Sequence, residues 1–70
     1  MRKNAIQCQI VKVMKAKKNL KLVQLRNEVI ENMSMFRPDP IMVKEQIERL
    51  IEREYMKRDE KDRTMLIYVP

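Results

Sequence analysis

This 70-residue sequence predicts an α+β domain in which three helices are followed by a two-stranded β-hairpin. Three observations carry that prediction. Apolar residues recur at helical spacing through two stretches of the N-terminal half, Asp39-Pro40 has the form of a helix start, and two short apolar runs flank a polar loop at the end.

The first helix is read from Arg2 to Lys17. At 100° per residue, Ile6, Ile10 and Val13 fall within about 60° of one another. Lys17 returns to that stripe, so either the helix ends there or the lysine lies along its edge with its stem buried. Asn19-Leu20-Lys21 is a short connection able to form an edge strand. Leu22, Leu25, Val29 and Met33, spaced i, i+3, i+7 and i+11, define the second helix. For the third, Asp39 is the expected N-cap. Pro40 takes the first helical position, where its missing N–H removes nothing the helix would use. Val43, Ile47, Leu50 and Ile51 form its buried face. Tyr55-Met56-Lys57 and Met65 to Val69 read as strands, joined by a loop from Arg58 to Thr64. This order is the winged-helix pattern. Phe36 and Tyr68 are expected to close the core, and the seven methionines to act as packing filler, not as ligands.

Length and composition narrow the function. Seventy residues make one small domain that buries roughly 60% of its unfolded surface. With no His, no Trp, no Gly and one Cys, the inventory argues against an enzyme with a deep cleft. A structural zinc site needs about four Cys or His ligands, and Cys8 alone cannot supply them or form a disulfide within the chain. No metal or cofactor is expected. A lone Cys fits a reducing, intracellular setting. No apolar run approaches the roughly 20 residues that span a bilayer, and residues 1–20 lack a signal-peptide core. The net charge is +6, but residues 1–27 hold eight basic residues and no acid, leaving a net of −2 for the remainder. The basic character therefore belongs to the first helix and its exit, and it suits phosphate or an acidic protein surface.

On the first helix Lys15 lies roughly 180° from Ile6 and should point at solvent. Cys8 is only about 20° from it and Val11 about 40°, which makes its neighbourhood mildly apolar. By periodicity alone Lys15 is an ordinary solvated lysine. The wording Ile10-Val11-Lys12-Val13-Met14-Lys15-Ala16-Lys17-Lys18, however, resembles the Ile-Val-Arg-x-Met-Lys-x-Arg-Lys signature near the C-terminus of cullins, the scaffolds of multisubunit ubiquitin ligases. Met35-Phe36-Arg37-Pro38, the run from Met42 to Met56, and Ile67-Tyr68-Val69 extend the resemblance over essentially the whole chain. Lys44-Glu45-Gln46-Ile47-Glu48 and Arg58-Asp59-Glu60 look most like the cullin that pairs with elongin and SOCS-box receptors. The sequence departs from the family where Lys12 and Lys17 replace arginines, keeping the charge but losing the planar guanidinium fork. It also ends in Pro70, where cullins typically end in Ala.

The resemblance implies that residues 1–70 are the C-terminal winged-helix domain of a larger scaffold, located in cytoplasm and nucleus. It implies that Lys15 accepts a ubiquitin-like modifier, the reaction called neddylation, and so acts as a substrate nucleophile and not as a catalyst. A free lysine is less than about 0.1% neutral at pH 7, so a conjugating enzyme must help to supply the neutral amine. The implied partners are the covalently attached modifier, the neddylating conjugating enzyme with its co-ligase, a RING-box subunit and a deneddylating signalosome. Lys12, Lys17 and Lys18 are the candidate docking residues, with simple solubilisation as the competing role. On the helix wheel Lys12 and Lys18 lie about 60° to either side of Lys15.

The alternative is a nucleic-acid-binding winged helix, which the basic N-terminal third favours. Its third helix argues against that reading. Glu45, Glu48 and Glu52, at i, i+3 and i+7, would line the outward face, whereas a helix entering the major groove needs positive charge there. The presumed wing, Asp59-Glu60-Lys61-Asp62-Arg63, holds three acids and two bases.

Overall fold

A computed structural model describes residues 3–33 and 38–70, with side chains from residue 5 onward. Three helices, α1 (Lys3–Lys17), α2 (Leu22–Asn32) and α3 (Pro40–Glu52), alternate with and precede three short strands, β1 (Asn19–Lys21), β2 (Met56–Arg58) and β3 (Met65–Tyr68). The α+β winged-helix expectation holds. Its hairpin, β2 and β3, is widened by β1, so the sheet has three strands in the order β1-β3-β2. Both pairings are antiparallel, with Leu20 opposite Leu66 and Met56 opposite Tyr68. The strands fall within a residue of their expected bounds, since Tyr55 precedes β2 and Val69 follows β3.

Local chemistry accounts for the helix ends. Asp39 caps α3 as expected: its Oδ1 accepts from Ile41 N–H at 2.9 Å, with Pro40 behind it in the first turn. At the start of α2, Lys21 has no acceptor to offer. Only half of a capping box therefore forms, with Gln24 Oε1 accepting from Lys21 N–H at 3.3 Å. The C-terminal ends of α1 and α3 turn through left-handed residues that are not glycine. Lys18, at φ 74°, closes α1 with its N–H on Met14 O at 2.7 Å, and Glu54, at φ 64°, follows α3. Glu54 N–H then reaches Ile51 O and Tyr55 N–H reaches Leu50 O, each at 3.0 Å, which is the paired pattern of a Schellman motif.

The core lies where α1, α2 and α3 meet the sheet. Ile6, Ile10 and Val13 are buried, as are Leu25, Val29, Val43, Ile47 and Leu50. Leu22, Met33 and Ile51, assigned to the same faces, are half-buried at its margin, and so is Tyr68. Met14, Met56 and Leu66 are core residues that helical periodicity alone does not select. Met14 sits about 80° round the helix from Ile6, at the edge of the stripe, and the approach of the other helices covers it. Gln46 is the one buried polar residue described, and its Oε1 accepts from Gln7 Nε2 at 2.7 Å, so burying the amide leaves it satisfied. Phe36, expected to close the core, lies outside the described residues.

Candidate functional site: the lysine face of the first helix

Three buried residues on one side of α1 force Lys15 to the other. Ile6 and Ile10 are 0% exposed, and Lys15, half a turn away, is exposed to solvent. It lines a shallow groove of about 420 Å³ between α1 and the end of α3. From α1 come Gln7, Cys8, Val11 and Lys12, and from the far side Leu50, Arg53 and Tyr55. Cys8 is exposed and unpaired with any other cysteine, in keeping with its expected place beside Lys15. The groove's floor is mainly apolar and its charged lining residues are Lys12, Lys15 and Arg53, all cationic. An amine held there projects from a mildly apolar surface ringed by positive charge, which suits approach by an acidic partner.

The other lysines diverge from Lys15. Lys12 shares the groove. Lys17 turns toward α2, where its Nζ lies 3.7 Å from Glu28 Oε1, and with both side chains substantially solvated that pair contributes less than about 1 kcal/mol. Lys18 is not a helical neighbour of Lys15, contrary to the wheel. The chain leaves α1 at this residue, its carbonyl accepts from Tyr68 N–H at 2.7 Å, and its Nζ stands 5.4 Å from the Tyr68 ring centroid. The physical reason is the left-handed φ at Lys18, which redirects the backbone from helix to sheet. Leu50, Arg53 and Tyr55 were invisible to sequence reasoning as site residues, because only the packing of α3 on α1 brings them to Lys15.

Elsewhere the acidic face of α3 stands as expected at Glu45 and Glu52, both exposed, whereas Glu48 is half-buried and accepts a hydrogen bond from Arg58 Nη2 of β2. The turn before β3 is built on Asp62, whose Oδ1 accepts from Thr64 N–H at 3.0 Å and from Thr64 Oγ1 at 2.5 Å. The hydroxyl bond, then the amide bond, with a smaller contribution from Lys21, hold the Asp62 carboxyl below the ordinary carboxylate range. Among the described residues no cluster of three or more His, Cys, Asp or Glu is placed to hold a metal ion, and no helix is long and apolar enough to cross a membrane.

Comparison with known proteins places this geometry. Residues 1–62 match the cullin protein neddylation domain. Cullin-3 of Dictyostelium discoideum is 46% identical and cullin-3 of Caenorhabditis elegans 44% identical, each over 97% of this chain. A putative cullin-like protein 1 of Arabidopsis thaliana is 42% identical over the same share. The chain spans about a tenth of the length of these relatives, between 9% and 10%. A solved structure described as a dual E3 mechanism for Rub1 ligation to Cdc53, Dcn1(P)-Cdc53(WHB), superposes with a TM-score of 0.91 at 32% identity, covering 97% of this chain and 79% of the other. These relatives do not carry the expected kinship to the elongin- and SOCS-box-pairing cullin. With the Lys15 segment inside the matched region, the chain belongs to the cullin family, whose neddylation domain it contains.

Proposed function

We propose that this chain is the part of a cullin ubiquitin-ligase scaffold that accepts a ubiquitin-like modifier, and that Lys15 is the acceptor. The observation that carries the proposal is the exposure of Lys15 opposite a fully buried stripe, at the one position where the chain's wording matches the family's modified lysine. In this reading Lys15 acts as a nucleophile on a thioester. Its neutral amine attacks the carbonyl joining the modifier's C-terminal Gly to the conjugating enzyme's Cys; the C–S bond breaks, the thiolate leaves, and an isopeptide bond remains. The proton lost by the amine goes to solvent or to a base on the enzyme. The chain contributes placement: α1 is anchored by Ile6, Ile10, Val13 and Met14, so the lysine is presented from a rigid support. It has no catalytic role of its own, and its activity is that of a scaffold and substrate.

The solved Cdc53 relative concerns Rub1 ligation with Dcn1. By similarity, a conjugating enzyme and a Dcn1-like co-ligase are the partners proposed for the Lys12 and Lys15 groove, with Lys17 and Lys18 flanking it. A RING-box subunit and a deneddylating signalosome are proposed for the parent scaffold. On lineage, the Lys44 to Glu48 and Arg58 to Glu60 wording supports an elongin-type pairing, while 46% and 44% identity supports cullin-3. Pull-down of the full-length parent with elongin or with a cullin-3 receptor separates the two. The central test is reconstituted conjugation followed by mass spectrometry of the tryptic peptides. Modification is expected at Lys15 and absent in Lys15→Arg; equal modification of that variant would refute the assignment.

A further inference from the structure

The two outer edges of the sheet are not equivalent. Tyr55 and Asp59, which flank β2, turn toward the β3 side: Val69 N–H donates to Tyr55 O at 3.1 Å, and Asp59 N–H donates to Met65 O at 2.9 Å. Lys57, opposite Ile67, occupies the position between them. Hydrogen-bonded and non-hydrogen-bonded pairs alternate along an antiparallel ladder, so Met56 and Arg58 turn their N–H and C=O groups away from the sheet. Those groups have no backbone partner among the described residues. β1 differs. Asn19 and Lys21 also face outward, because Lys18 O accepts from Tyr68 N–H and Leu22 N–H donates to Thr64 O just before β3, but Lys21 N–H is taken by Gln24 Oε1 and the chain enters α2 at the next residue.

A groove of about 630 Å³ follows the open edge. Met56, Lys57 and Arg58 all line it. Successive strand side chains point to opposite faces, so a cavity touching all three runs along the strand's edge. Ile51 and Val69 supply further apolar lining, and Arg63 adds a third cation against the single acid Glu54. Arg58 is engaged by Glu48, whereas Lys57 and Arg63 are exposed and make no ion pair among the described residues. None of these residues lines the Lys15 groove.

We propose that the β2 edge receives an extended segment of another protein in which acidic and apolar side chains alternate, adding a fourth strand and setting its carboxylates against Lys57 and Arg63. Main-chain bonds from Arg58, and from the little of Met56 that its 2% exposure leaves open to the groove, supply the pairing, the apolar lining takes one side of the segment, and the cations select its charge. A second copy of this chain is disfavoured as the occupant, because β2 against β2 sets Lys57 and Arg58 beside their own likenesses. This surface does not depend on Lys15 being the acceptor.

The test is a titration of the isotope-labelled 70-residue chain with a blocked Glu-Val repeat hexapeptide, followed by amide NMR. Saturable shifts are expected at residues 56–58, with slowed exchange of the Met56 and Arg58 amides. Two N-methylated peptides are compared, one blocked at every Glu amide and one at every Val amide. Strand pairing requires that one of them bind about tenfold or more weakly, since it loses several main-chain bonds, while the other binds nearly as the parent. A Lys-Val repeat should not bind, and the double variant Lys57→Glu, Arg63→Glu should reverse that preference, with both effects weaker at high salt. Equal binding by both N-methylated peptides, shifts centred on α1, no binding at millimolar peptide, or a peptide-free dimer through β2 would each overturn the proposal.

Discussion

Replacing Glu54 with glycine is predicted to stabilise the domain, although Glu54→Gly removes a whole side chain. Glu54 holds φ 64° in a sequence that contains no glycine at all. Its Cβ therefore stands against the neighbouring carbonyl in the left-handed region, at a cost of about 1–2 kcal/mol. Glycine removes that clash but returns about 0.5–1 kcal/mol through the greater freedom of its unfolded chain. The net gain is about 0.5–1 kcal/mol, or roughly 4 °C in Tm for a domain of this size. Lys18 provides an internal comparison. It too is left-handed, at φ 74°, but its ammonium stands 5.4 Å from the Tyr68 ring centroid, a contact worth about 0.5–1 kcal/mol at an exposed site. Relief and loss then cancel, and Lys18→Gly should melt close to the wild type. Glu54→Ala keeps Cβ and should also be nearly neutral. Thermal melts followed by circular dichroism, with urea titrations to check that m is unchanged, measure all three. A Glu54→Gly protein no more stable than Glu54→Ala would refute the assignment of strain to that residue.

Other outcomes follow from the packing and the charges. Ile47 is 0% exposed, and Ile47→Ala should cost about 2–5 kcal/mol by opening a cavity, read from the urea midpoint; an unaltered melt would remove Ile47 from the core. Glu48→Ala should cost less than about 1 kcal/mol, because its pair with Arg58 is partly solvated. Since Asp62 is held below the ordinary carboxylate value, it adds stability above about pH 3.9 that is lost as pH falls through its lower folded value. Wild type should therefore lose more stability than Asp62→Asn in that acid window, and the two should run parallel near neutrality; parallel curves throughout would show that the Thr64 bonds carry no such linkage. Among Lys12→Gln, Lys17→Gln and Lys18→Gln, the first should slow conjugation most and chiefly at low salt, because Lys17 faces Glu28 and Lys18 faces Tyr68 while Lys12 borders the groove. Equal slowing at every ionic strength would reject electrostatic steering.

The sequence by itself determined the elements whose causes are local. Asp39-Pro40 specifies a helix start through one side-chain acceptor and one missing donor, and the spacing of Ile6, Ile10 and Val13 places Lys15 on the solvent side whatever the rest of the chain does. Val43, Ile47 and Leu50 declare their face for the same reason, since a helix repeats every 3.6 residues. Tertiary structure decided what depends on residues distant in sequence. Leu50, Arg53 and Tyr55 become neighbours of Lys15 only because α3 packs against α1. Met56 and Leu66 enter the core only because the strands fold beneath the helices, and a three- or four-residue strand is too short for its alternation to be read in advance. The end of α1 at Lys17 was legible, but the left-handed turn at Lys18 was hidden: glycine is the usual sign of such a helix end, and this chain marks both such ends with charged residues, held by Tyr68 N–H on Lys18 O across the sheet and by Glu54 N–H on Ile51 O within the turn.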